Sequence, residues 1–170
     1  DIDLDNREWI PIGSADVSFK GSFDGNGKSI TNFKMTITSE GNKGLFGRIE
    51  NATVKNFSID GEVTVNLSED TDAAFNYGVI GEAYAGPNQN VYVEDIISYV
   101  DITVQDGYMK NTVAGIAGSV SGQINENWGI IYIRRCTFAG NIDLGSAILD
   151  CGGGIAGYVG YYVAAYIEDC

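Results

Sequence analysis

The sequence predicts an all-β chain: a right-handed parallel β-helix (β-solenoid) of about five coils, with loops on one corner. Two observations carry that expectation. One strand-like pattern recurs at residues 54–65, 93–104 and 133–144, and begins again at 167–170. Each copy follows a Gly-x-x-Gly element, formed by Gly44 and Gly47, Gly78 and Gly81, Gly115 and Gly118, and Gly154 and Gly157. With a shorter precursor at Ile30, the anchor residues Ile30, Val54, Val93, Ile133 and Ile167 are separated by 24, 39, 40 and 34 residues. A period in that range marks a repeat architecture. The alternation of β-branched residues within each copy selects strands over helices.

Taken in order, residues 1–29 read as the first coil. Ile2 and Leu4 alternate with aspartates and are expected to face inward, and Trp9, Ile10 and Ile12 follow, closed by Gly13. Asp24-Gly25-Asn26-Gly27 reads as a turn between Phe23 and Ile30. Aligned copies then place like residues at like positions. Val54, Val93, Ile133 and Ile167 form one apolar ladder, Val63, Ile102 and Ile142 a second, and Val65, Val104 and Leu144 a third. Phe57, Ile96, Cys136, Val104 and Ile155 complete the expected core. Residues 66–76 read as a polar connection, and 84–90 and 119–129 as loops at one corner.

The outward positions fix the same register. Lys55, Glu94, Arg134 and Glu168 alternate in sign, as do Asp95, Arg135 and Asp169 one residue later. In parallel strands about 4.8 Å apart each neighbour is then an opposite-charge contact. Tyr92, Tyr132 and Tyr166 form an aromatic ladder beside them, read either as the cover of a sheet face or as a face for stacking sugar or protein.

The net charge of -13 excludes nucleic acid, which rewards basic surfaces, and anionic membranes. No run is long and apolar enough for membrane insertion. The absence of histidine removes Ser-His-Asp triads, Cys-His pairs and histidine metal sites. Asp1, Asp3 and Asp5 share the spacing that opens a calcium loop, but Asn6 and Ile12 stand where an EF-hand needs Gly and Glu. Glu69, Asp70 and Asp72 are the other calcium candidates, and a solvated turn is the competing reading. Arg134 and Arg135 form the only adjacent basic pair, and their ladder neighbours are carboxylates. Cys136, Cys151 and Cys170 make no disulfide framework. Cys136 and Cys170 share a ladder position and are expected to be stacked and reduced. No catalytic, cofactor-binding or metal-ligating residue is assigned.

Trp9-Ile10-Pro11-Ile12-Gly13, the run from Phe19 through Asp24-Gly25-Asn26-Gly27 to Ile30, and Gly44-Leu45-Phe46-Gly47 together resemble the GLUG-motif repeat family of bacterial surface proteins. Those are large, secreted, repeat-bearing proteins of adhesin type. The resemblance is best in the first half; Leu45-Phe46 becomes Val79-Ile80 and then Ile116-Ala117 in later copies. It implies a β-helical, extracellular structural or adhesive segment, with no particular ligand.

The expected function is therefore a non-catalytic extracellular module of a bacterial surface protein or filament. Residues 1–170 are expected to form a single repeat domain, a fragment of a longer chain. Its partners would be further repeats of the same chain, copies stacked head to tail, or a host or matrix protein or glycan. A carbohydrate-binding module, or a polysaccharide lyase or hydrolase on the same fold, is the alternative.

Overall fold

Parallel pairing runs from one end of the chain to the other. The computed structural model describes residues 1–66, 75–105, 108–123, 127–160 and 162–170. Among these residues there is no helix, and the strands form three sheets whose pairs are all parallel. The first sheet runs in spatial order through Ile2–Asp3, Ser22–Ile37, Thr53–Val65, Asn90–Ser98, Gly129–Arg134 and Val163–Glu168. Asp101–Val104, Thr137–Phe138 and Ile142–Asp143 extend it sideways. The second sheet holds Gly41–Lys43, Phe75–Tyr77, Tyr108–Ala114 and Ile148–Gly153. The third holds Phe46–Glu50, Ile80–Ala85, Ala117–Gly122 and Ala156–Val159. The chain thus passes from second to third to first sheet and repeats that order, and each strand pairs with its counterpart in the next pass.

Strand residues alternate faces, so one row of each strand enters the space between the sheets. Val54, Val93 and Ile133 lie directly over one another and are fully buried. Val63 pairs with Ile102 and Ile102 with Ile142; Val65 pairs with Val104. Phe57 and Ile96 are paired and buried, and Cys136 is buried in the following pass. Burying each such aliphatic side chain stabilises the fold by about 1.5–3 kcal/mol, so these rows hold the sheets together.

The ends of the rows behave differently. Ile167 pairs with Ile133 but is 44% exposed, and Ile2 pairs with Ile30 but is 53% exposed, because each has a neighbouring row on one side only. Ile142, Leu144, Ile155 and Leu4 are half-buried at the same two edges. The expected inward placement of Ile2, Ile142, Ile155 and Ile167 therefore fails in degree of burial: a row of stacked strands covers its inner members from both sides and its last members from one.

The first pass corrects the expected register. Ile30 pairs with Ile2 and Ile59, not with Val54; Phe23 is the partner of Val54. Asp24-Gly25-Asn26-Gly27 is not a turn between strands but a bulged bend inside Ser22–Ile37, where the register shifts between Asp24 and Lys28. Asn26 and Gly27 take φ of 52° and 68°, and the Asp24 carboxylate accepts the Asn26 N–H at 2.8 Å. Gly25 permits the bend because a Cβ there would meet the Phe57 Cβ at 2.4 Å. The added residues let Phe23 enter the core against Phe57 and Phe46, with ring centres 5.4 and 5.5 Å away.

Every later pass bends at the corresponding place. Asn56, Asp95, Arg135 and Asp169 follow the paired residues Lys55, Glu94, Arg134 and Glu168, and all have φ between 50° and 65°. Asn and Asp accept that left-handed conformation most readily among side-chain-bearing residues, which accounts for this column except at Arg135.

The Gly-x-x-Gly elements build the elbow between second and third sheets. The first glycine and its successor form the corner, and the second glycine lies just inside the third sheet. A Cβ on Gly78 would meet backbone of Gly118 and Ile116 at 2.7 Å, and one on Gly81 would meet the Lys43 N at 2.6 Å. Backbone packs on backbone both along the stack and across the elbow, leaving room for hydrogen only. The expectation of loops at one corner is also revised. Part of 84–90 and of 119–129 is strand, leaving 86–89 and, among the described residues, 123, 127 and 128 outside strands between third and first sheets. Connections from first to second sheet, at 38–40 and 144–147, form another corner.

Ile102 is 1% exposed between Val63 and Ile142, so Ile102→Asp would bury a carboxylate with no partner. A penalty of several kcal/mol is comparable with the whole stability of a domain of this size. Ile102→Asp is expected to abolish the cooperative thermal transition followed by circular dichroism, while Ile142→Asp, at a half-open edge, retains one. Melting of Ile102→Asp like the natural chain would refute the inward assignment.

Candidate functional site

The outward face of the first sheet carries the most regular chemistry in the molecule. Because the strands are parallel and in register, residues at one offset sit above one another on the solvent side as they do in the core. Lys55, Glu94, Arg134 and Glu168 are paired in succession, and the corrected register adds Asp24 beside Lys55. Lys55 lies 3.6 Å from Asp24, Arg134 lies 3.8 Å from Glu94, and Arg134 Nε donates to Glu168 at 2.9 Å. The charge column therefore alternates from Asp24 to Glu168.

At the bend, Arg135 donates to both carboxylate oxygens of Asp95, at 2.6 and 2.9 Å, and approaches Glu94 at 3.8 Å. This hydrogen bonding holds the Asp95 carboxyl below the usual carboxylate range, against an opposing desolvation. The bidentate pair also explains how a bulky residue persists in the left-handed conformation at 135. Both arginines are thus engaged with neighbouring passes.

Tyr92 and Tyr132 stack with ring centres 5.1 Å apart and planes 7° apart, and Tyr132 and Tyr166 with centres 5.3 Å and planes 17° apart. The Arg134 guanidinium lies 4.1 Å from the centre of the Tyr132 ring. The facing surfaces of these rings are spent on one another. What the ladder presents to a ligand is edges, hydroxyls and the outer face of Tyr166, which is 47% exposed.

The calcium candidates at the amino-terminal edge serve local bonds. Asp3 Oδ1 accepts from Asn32 Nδ2 and from the Asp5 N–H, both at 2.8 Å, and its carboxyl sits below the usual range mainly because of the Asn32 bond. Asp1 accepts the Ser29 N–H at 3.1 Å, and Asp5 lies 3.5 Å from Arg7. No group of three or more acidic or thiol ligands suited to a metal ion occurs among the described residues. Glu69, Asp70 and Asp72 lie outside the described residues. Cys136, Cys151 and Cys170 are free thiols. The Cys136 N–H donates to Cys170 Sγ at 3.4 Å, so these two sit in adjacent passes, and burial pushes the Cys136 thiol up to about 12.

A second polar column lies in the elbow and escaped the reading of the sequence. Arg48, Glu82, Ser119 and Tyr158 are paired in the third sheet. Glu82 accepts from Asn42 Nδ2 at 2.7 Å and from Ser121 Oγ at 2.6 Å, and lies 3.5 Å from Arg48 Nε. Asn76 donates to Asn42 at 2.9 Å, and the Arg48 guanidinium lies 3.9 Å from the centre of the Tyr84 ring. Each member of that column stands four residues after the first glycine of its element, a signal present in the sequence. The cluster couples the second sheet to the third, and within it the buried Arg48 Nε makes no hydrogen bond, with the Glu82 carboxylate 3.5 Å away.

The chain is similar to a protein of Evansella cellulosilytica described as a Gly-rich membrane protein: 39% identity over 84 residues, covering 46% of this chain and 10% of that protein. The chain thus spans a tenth of that relative's length. No family model matches the chain, and no solved structure matches it.

The Asp95–Arg135 pair has a pH signature. The folded-state pKa of Asp95 is depressed below the ordinary 3.8, so its contribution is present above that value and is lost as pH falls through the folded pKa. Being exposed, the pair contributes little. Asp95→Asn is expected to be slightly less stable in urea melts at pH 7, and to lose less stability than the natural chain on going from about pH 5 to pH 2. Parallel acid-side slopes in the two proteins would show that the pair contributes nothing.

Proposed function

We propose that this chain is a right-handed parallel β-solenoid of about five coils serving as a non-catalytic structural and adhesive module of an extracellular bacterial surface protein. The observation that carries the reading is the commitment of the repeated outward groups to one another. Arg134 and Arg135, the only adjacent basic pair, are engaged by Glu94, Glu168 and Asp95. A β-helical lyase would need a basic group free to meet its substrate; here the repeating chemistry favours stacking passes. The parallel sheets and the handedness preference of parallel crossovers support the solenoid.

The extracellular placement rests on the GLUG-type resemblance and on the acidic, solvent-compatible composition. A relative of much greater length named as a membrane protein is compatible with a segment held at a cell surface by other parts of a long polypeptide. Among the described residues no helix is long and apolar enough to cross a membrane. The faces offered to a host or matrix protein or to a glycan are the tyrosine edges with Tyr166 and the acidic rows beside them. Because fold alone does not assign function, the reading stands on these side chains.

A glycan and matrix-protein binding array, probed with and without Ca²⁺, tests this reading. Retention of at least one surface polymer, weakened about tenfold by Tyr166→Ala and accompanied by no cleavage, is the expected outcome. Turnover of an acidic polysaccharide that Arg134→Ala abolishes would replace the adhesive reading with the lyase alternative.

A further inference from the structure

The outward face of the third sheet carries two tyrosines on either side of a nearly empty row. In its column Tyr84 follows Glu50 and precedes Ser121. Gly160 continues that column one pass later, after Val159, which pairs with Val120; its N–H donates to the Val120 carbonyl at 2.8 Å. The Arg48 guanidinium, 3.9 Å from the centre of the Tyr84 ring, comes from the pass before Tyr84. It therefore covers the ring face on that side and leaves the face toward Ser121. Tyr158 lies two passes after Glu82 in the neighbouring column. Its ring leans over Gly160, where a Cβ would meet Tyr158 Cε1 at 3.0 Å. The two rings thus bracket the Ser121 row, which holds only a hydroxymethyl group at that offset. Tyr84 and Ser121 are half-buried and Tyr158 is 39% exposed.

We propose that Tyr84 and Tyr158 are the walls of a slot that binds one neutral hexopyranose unit of a glycan, with Ser121 and Glu82 at its floor. Two strand spacings separate the walls, about 9.6 Å. A ring held between two others needs two van der Waals contacts of about 3.5–4.0 Å each, so one sugar fits and a second does not. The tyrosine faces take the C–H faces of the sugar. The Glu82 carboxylate accepts from Ser121 Oγ at 2.6 Å and from Asn42 Nδ2 at 2.7 Å. A carboxylate offers about four acceptor sites, so Glu82 retains capacity for sugar hydroxyls.

The same groups select the ligand. A uronate would bring its carboxylate toward Glu82 on a chain of net charge -13. An apolar aromatic side chain would fill the slot but leave the floor without hydrogen bonds. The row between the walls has a described strand on each side, so the slot uses no unpaired strand edge. This inference deepens the adhesive reading by naming a sugar class, and it rests on that reading for its use; its residues are separate from Tyr166, which makes the two failures distinguishable.

Isothermal titration calorimetry of the full chain with neutral hexaoses of glucose, mannose and galactose, and with a uronate hexamer, tests the proposal. At least one neutral hexaose is expected to bind, at least tenfold more tightly than the uronate. Tyr158→Ala should weaken that binding about tenfold. Ser121→Phe, which fills the slot from its floor, should abolish it, and Tyr166→Ala should leave it unchanged; each variant is checked for folding by circular dichroism. No binding of any neutral hexaose, tighter binding of the uronate, or undiminished binding by both Tyr158→Ala and Ser121→Phe would each overturn the proposal. Loss of sugar binding in Tyr166→Ala alone would also overturn it, while leaving the adhesive reading in place.

Discussion

The fold depends on the spacing and direction of its strands. Parallel strands held in register, about 4.8 Å apart, make the neighbours of any side chain the residues at the same offset one pass earlier and one pass later. Every choice of residue then answers to a column. Val54, Val93 and Ile133 are alike because each must fill the slot the others define. Lys55, Glu94, Arg134 and Glu168 differ because each must oppose its neighbours. The two kinds of column act at different strengths. Buried aliphatic rows contribute about 1.5–3 kcal/mol per side chain, whereas exposed ion pairs contribute about 0.2–1 kcal/mol. The core holds the passes together, and the charges select which residue lies over which. A slip of one residue would turn every apolar row outward and align the wrong charges.

This logic decided what was legible in the sequence. From residue 54 onward, columns could be read directly, since aligned copies repeat both apolar periodicity and sign alternation. The first pass departs from that pattern because Gly25, Asn26 and Gly27 insert a bulge. Ile30, which resembles the later anchors locally, then lies over Ile59, while Phe23 takes the place beside Val54. Likeness of sequence and likeness of position part company wherever one pass holds residues its neighbour lacks. Sign alternation alone marks Asp95, Arg135 and Asp169 as outward residues; the structure adds that they form a column of left-handed bends. Asn26 and Asn56 carried that signal, because asparagine is common where φ is positive.

The glycine elements illustrate a different limit. Their regular recurrence was visible, but the elbow they build depends on backbone approaching backbone across two sheets, as at Gly81 and Lys43. The same approach brings Glu82 to Asn42, residues forty apart whose bond no periodicity within one strand reveals. The tyrosine column was legible as a column, yet its ring orientation was not. Stacking at 5.1 Å turns the facing surfaces of Tyr92 and Tyr132 toward each other and leaves Tyr166 as the open end.

Register is thus the quantity on which core and charge columns both rest, and zero-length carbodiimide cross-linking with mass spectrometry measures it most directly. This chemistry joins a lysine only to a carboxylate it can touch. Adjacent passes place Lys20 at 3.2 Å from Glu50, Lys34 at 3.8 Å from Glu62 and Lys55 at 3.6 Å from Asp24. The account predicts amide links between those three pairs in the folded chain and their loss on denaturation before reaction. The Lys34–Glu62 link is the most discriminating, because alignment of Ile30 with Val54 would instead place Lys34 beside Ser58. Recovery of links from these lysines only to carboxylates outside the three pairs would contradict the parallel register itself.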